Sequence, residues 1–330
     1  MCTLIMKQGI IIKRNQSIDM IKVVAMIGVL SLHCNLGKLD NPVAFVLSRM
    51  AGASIPLFFM VSGYLLINKQ TDFHYAIKKI VGILKFVFIC SLCFWTIQML
   101  HHQEFNINVI YIFSKAFIQK GPFWMFWYFG AMCLIYFSLP FLKWCDRKVS
   151  FFFPKLLGIL LCVDFIVFVM TYQSHFEYSV IQTFRIWNWL TYFSLGTVIQ
   201  KYHLKFNSSI LAVILSMVAF VAFVYYCKSV IGGVEYFFST PLCMAYALFL
   251  FVWLESRQIT NNKMLSELSK LFLPVYTIHY FVIKYYSQIV DSQYAGVWTP
   301  MLDFLIVTIV TLTMCCIIMR VPFMGKVFKI

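Results

Sequence analysis

Apolar residues along this chain are neither scattered nor alternating; they run in continuous blocks separated by short polar breaks. A hydrocarbon layer about 30 Å thick needs roughly 20 apolar residues per helix, so each block reads as a candidate membrane span. Ten such windows follow one another, over approximately 17 to 36, 44 to 67, 78 to 100, 123 to 142, 151 to 172, 184 to 200, 208 to 227, 236 to 254, 268 to 289 and 298 to 319. A closed barrel would show alternating segments of about ten residues instead. The pattern therefore predicts an all-α fold: a polytopic membrane helix bundle of about ten transmembrane helices.

The breaks are short, mostly about 6 to 15 residues, which makes neighbouring helices antiparallel and leaves no room for a soluble domain. The expected organisation is one transmembrane domain over 17–320, with short cytoplasmic tails at 1–16 and 321–330. The longest connection, 101–122, is amphipathic in its middle; it either lies in the outer interface or re-enters the membrane to line a cavity. The first apolar run is a full span with no small-residue cleavage site after it, so no secretory signal is expected.

Composition agrees and narrows the class. The chain is 62% hydrophobic and 12% charged, with a mean hydropathy of +0.83, outside the range of soluble globular proteins. Its net charge of +15 could suggest nucleic acid. The distribution argues otherwise. With the N-terminus inside, seventeen basic residues fall in inner loops and tails against four outside, Lys38, Lys115, Lys120 and Lys228. That asymmetry predicts both termini in the cytoplasm, makes membrane lipids the partner of the excess charge, and removes nucleic acid as a partner. The eleven cysteines are scattered without zinc spacing, so neither a disulfide framework nor a metal is expected. Most aromatic residues read as lipid-facing bulk or interfacial belts, Trp187 and Trp189 among them.

The remaining basic residues, Lys22, Arg49, Lys85, Lys155, Arg185 and Lys284, fall within or at the edges of spans. Lys22 and His33 are eleven residues apart, three turns, so they share one face of the first helix. His33 would lie roughly 22 Å along the axis, in the outer half of the membrane. The plainer readings are a snorkelling lysine and a histidine bonded to a neighbouring helix. Asp19 complements the helix N-terminus, with Ser17 as N-cap, and can pair with Lys22. Arg49 stays charged and must face protein, water or an anion. Pro56, Ser62 and Gly63 favour close helix packing. His279, beyond Pro274, sits near the middle of its span, where an imidazole can exchange a proton near neutral pH. Arg185 reads most simply as an interfacial anchor. Asp164 and Lys85 need partners that the sequence does not identify.

Taken together, SIDMIKVVAMIGVLSLH with Lys22 and His33, PLFFMVSGYLL after Arg49, WYFGAMCLIYFSLP with Trp127, Tyr136 and Pro140, FRIWNWLTYFSLG, and VYTIH near the end resemble the acyltransferase 3 family of bacterial integral membrane acyltransferases, in particular its standalone O-acetyltransferase branch. The phrases occur in the family's order over about residues 17–283. One departure is Lys22, where the family usually has arginine; lysine keeps the charge and loses bidentate phosphate recognition.

The resemblance implies transfer of an acyl group, usually acetyl from cytoplasmic acetyl-CoA, to a hydroxyl of a cell-surface polysaccharide or its lipid-linked precursor, by a protein of the bacterial inner membrane. On that reading Lys22 contacts the donor's phosphates. His33 is general base or transient acyl carrier, and His279 is a second base or proton relay. Arg49 and Arg185 bind the acceptor's anionic groups or the oxyanion, and Trp127 lines the substrate site. A homo-oligomer stays open. The competing class is a transporter or flippase that moves a glycan without acyl chemistry, since intramembrane charge also suits a substrate pathway.

Overall fold

The computed structural model describes residues 6–7, 10–11, 15–35, 38, 40–102, 108–204, 209–231, 236–259, 262–290 and 296–328. Most of the expected tail 1–16, and Lys13, Arg14, Lys205 and Lys329 among the charges expected inside, lie outside the described residues. Apart from a two-residue antiparallel pairing of Met6–Lys7 with Ile10–Ile11, the regular elements are helical.

Helix α1 (Gln16–Cys34) starts where Asn15, in extended conformation, turns its side-chain oxygen onto the amides of Ser17 and Ile18. Those N–H groups have no acceptor within the helix. The cap is thus Asn15 rather than the expected Ser17, whose hydroxyl donates to the Arg257 carbonyl. The second window is a broken span: α2 (Pro42–Met50), capped by Asn41, is joined to α3 (Ser54–Leu66) through a 3-10 turn at Ala51–Ala53. There follow α4 (Phe73–His102), a short α5 (Val109–Ala116), a buried 3-10 turn at Trp124–Phe126, α6 (Trp127–Lys148) and α7 (Phe152–Ser174). The rest of the chain forms α8 (Ile186–Tyr202), α9 (Ile210–Ile231), α10 (Pro241–Glu255), a short α11 (Lys263–Lys270), α12 (Phe272–Ile289), α13 (Thr299–Ile318) and a terminal α14 (Pro322–Val327).

Every one of the ten apolar windows falls on helix, and seven stretches are long and apolar enough to cross a membrane. Those in α8, α10 and α12 are shorter or more polar. Hydrogen bonds sort the connections into two ends. At one end Gln16 meets Asn262 and Ser266, Lys143 donates to the carbonyls of Ile67 and Lys69, and Lys201 pairs with Asp146 at 2.5 Å. At the other, Lys38 meets Asp303, Gln182 meets Gln119, and the Tyr192 hydroxyl donates to Phe238.

Burial divides the helices by role. About two thirds of the α1 and α6 windows and 72% of the α2–α3 window are buried, against 22% for α7 and for α13. The peripheral helices carry large apolar side chains outward, Ile159, Phe165 and Ile309 among them, as expected where the solvent is lipid. At the centre α3 and α8 touch backbone to backbone. A Cβ on Gly63 would fall 1.9 Å from the Phe193 carbonyl oxygen, and one on Gly196 would fall 1.9 Å from that of Met60. Such reciprocal contact is open only to glycine, and it is the close packing that the Gly63 segment predicts.

Candidate active site

His33 stands in the last turn of α1 and His279 in the first half of α12, which packs alongside. His279 is completely buried, and its Nδ1 lies 2.9 Å from the Val275 carbonyl one turn back. A carbonyl only accepts, so in the neutral ring Nδ1 holds the proton and Nε2 keeps its lone pair. Nε2 of His279 and Nδ1 of His33 are both buried with no hydrogen-bond partner among the described residues. The two imidazole centroids are 4.9 Å apart, with the rings tilted by 47°.

A third ring completes the group. Trp124 meets the His33 imidazole edge-on, with centroids 5.2 Å apart. It belongs to the buried turn that enters α6, which is held in place because the Tyr276 hydroxyl donates to the Met125 carbonyl while Tyr276 and Phe126 stack at 6.1 Å. Tyr276 lies one turn before His279 on α12, so a single helix fixes both the tryptophan turn and the second histidine.

From the α1 C-terminal side a cavity of about 520 Å³ reaches His33. Lys38, Tyr286, Ser287, Thr299 and Asp303 contribute to its polar lining. Asp303 is nearly buried and doubly held: the Lys38 ammonium is 2.6 Å from one carboxylate oxygen, and the Tyr286 hydroxyl donates to the other at 2.8 Å. An imidazole whose ring borders a cavity with a few polar side chains set in a mainly apolar lining, backed by a second imidazole with a free lone pair, can take a proton from a hydroxyl placed in that cavity.

The other residues expected at the site sit elsewhere. Lys22 lies 3.9 Å from Asp19, which also accepts from the Ser269 hydroxyl, and it is not among the residues lining this cavity. Arg49 is buried, its guanidinium 5.0 Å from the centre of the Phe45 ring. Trp127 packs against Trp189 at 5.0 Å and does not line the cavity. Arg185 is buried at the start of α8, where it donates to the carbonyls of Val180 and Glu177 and lies 4.7 Å from the Tyr236 ring centre. It therefore ties down the α7–α8 connection rather than anchoring at a lipid surface.

Trp189, expected in an interfacial belt, is instead fully buried and donates to the Gln182 carbonyl. Asp164 receives a 2.5 Å hydrogen bond from Thr191, while Lys85 is exposed. In the α7–α8 connection, burial pushes the Glu177 carboxyl above its usual range, opposed by Arg185 and by donors on Trp187 and Asn188.

Trp124, Tyr286 and Asp303 are not picked out by the sequence pattern. Asp303 carries the clearest signal, an acidic residue inside the apolar run TPMLDFLIV. Trp124 is one of several aromatics in GPFWMFWY, and only the fold distinguishes it from Trp127. A family model described as an acyltransferase domain matches residues 15–320. No curated protein and no solved structure matches the chain.

Proposed function

We propose, from the premise that the chain belongs to the acyltransferase 3 family and is a multi-pass membrane acyltransferase, that it transfers an acetyl group from cytoplasmic acetyl-CoA to a hydroxyl of a surface polysaccharide or its lipid-linked precursor. The observation that carries this reading is His33 at the end of a cavity that holds Lys38, Asp303 and Tyr286, with His279 directly behind it.

The acceptor O–H gives its proton to the His33 imidazole, and the oxygen attacks the thioester carbonyl carbon. An ester C–O bond forms, the C–S bond breaks, and the departing coenzyme thiolate takes a proton from the histidine pair, which closes the balance. Two imidazoles with centroids 4.9 Å apart do not favour both being charged, so together they suit one travelling proton. Lys22, at the opposite end of α1, has the task of attracting the donor's phosphates.

Replacing His33 by alanine is expected to lower acetyl transfer by about 10²–10⁴-fold with expression and membrane insertion intact. Near-normal transfer by that variant refutes the assignment. Incubation with radiolabelled acetyl-CoA and no acceptor then separates two routes: label on the denatured protein marks an acetyl-imidazole intermediate, and its absence marks direct attack.

A further inference from the structure

We infer that the cavity beside His33 selects an uncharged, hydroxyl-bearing ring such as a neutral sugar unit, and that the Lys38–Asp303–Tyr286 group positions it. The inference rests on the acyltransferase reading and narrows it, because an acceptor presenting phosphate or carboxylate at the reacting unit is excluded from this cavity.

Charge carries the argument. Among the described residues, the charged side chains lining the cavity, apart from His33, are Lys38, Asp40 and Asp303. Lys38 is engaged by Asp303 at 2.6 Å, which leaves the exposed Asp40 carboxylate and a lining that is net negative. An anion entering here meets like charge with no guanidinium to receive it; the expected acceptor-binding cations, Arg49 and Arg185, do not line the cavity. Two helix N-termini do open on the space, α2 behind Asn41 and α13 at Thr299 and Pro300. Neither offers an anion seat. Each has proline in its first turn, Asn41 already accepts from the amides of Val43 and Ala44, and the carboxylates of Asp40 and Asp303 lie in the same lining.

The lining suits a sugar in other respects. Apolar Ile283 and Val307 offer surface to the ring's C–H faces, while Ser287 and Thr299 offer hydroxyls to its edges. Asp303 is pinned by two donors, and its remaining lone pairs, with the free protons of the Lys38 ammonium, make a fixed pair of acceptor and donor. A volume of about 520 Å³ is sufficient for one or two sugar rings.

The test uses the full chain in lipid nanodiscs free of sugar detergents, with radiolabelled acetyl-CoA and three matched probes: octyl glucoside, octyl glucuronide and octyl glucoside 6-phosphate. The wild type is expected to acetylate the neutral probe at least tenfold more efficiently than either anion. Asp303→Asn and Tyr286→Phe are expected to raise the KM for octyl glucoside severalfold while the KM for acetyl-CoA stays constant. Ser287→Lys, at an exposed position on the rim, is expected to shift preference at least tenfold toward the anionic probes, and it keeps the test open should Asp303→Asn fold poorly. Equal use of charged and neutral probes, rejection of the neutral probe while coenzyme A is still released, or unchanged preference in Ser287→Lys overturns this inference and leaves acyl transfer standing. No release of coenzyme A from acetyl-CoA under any condition removes the underlying reading, and the inference with it.

Discussion

A buried imidazole nitrogen without a hydrogen bond costs about 1–3 kcal/mol, and His33 and His279 each carry one. Replacing His279 by leucine, a side chain of similar volume, removes that unmet nitrogen, so the melting temperature is expected to hold or rise while acetyl transfer falls by about 10²–10⁴-fold. A rate within threefold of the wild type takes His279 out of the chemistry. Both histidines are legible in the sequence because a titratable ring stands out in an apolar run. Their partner is not. Trp124 and Trp127 lie one 3-10 turn apart, and which of the two meets His33 is decided by the Tyr276 hydroxyl holding the Met125 carbonyl, a contact between residues 151 positions apart.

The α3–α8 crossing depends on two glycines, each lying where a Cβ would strike the other helix's carbonyl. Gly63→Ala or Gly196→Ala must push the helices apart, at an expected cost of at least about 1–3 kcal/mol. Thermal unfolding in detergent measures it, and an unchanged melting temperature in both variants contradicts the packing. Gly63 is readable as a packing residue from its neighbours, but its match with Gly196 is a tertiary fact that sequence spacing does not encode. The same holds for α1. Three turns put Lys22 and His33 on one stripe, yet the cavity reaches only the second of them. Donor affinity measured directly on Lys22→Arg and Lys22→Glu is expected to persist in the first and drop in the second; equal affinity in wild type and both variants rejects the phosphate contact.

For the molecule as a whole, the order and class of the helices follow from the succession of apolar windows, since lipid permits few solutions to backbone hydrogen bonding. The sidedness does not come from packing; it rests on the lysine and arginine tally. Single cysteines placed at exposed positions near Lys38 and near Lys148, in a background without other cysteines, test it in intact cells. A membrane-impermeant thiol reagent is expected to label the first and spare the second. The reverse pattern inverts the topology. A large share of the apolar surface turned outward on α7 and α13 also predicts that the chain aggregates when detergent is diluted below its micelle concentration, as light scattering would register. The cavity approaches His33 from the side away from Lys22, which bears on the time course of turnover. If acetyl-CoA and the sugar arrive from opposite faces and never share a chamber, the acetyl group must be parked on the protein between visits, and double-reciprocal plots at several acceptor concentrations should run parallel. Lines that intersect would mean that both reactants occupy the enzyme at once, and that the wall behind the imidazole opens during each cycle.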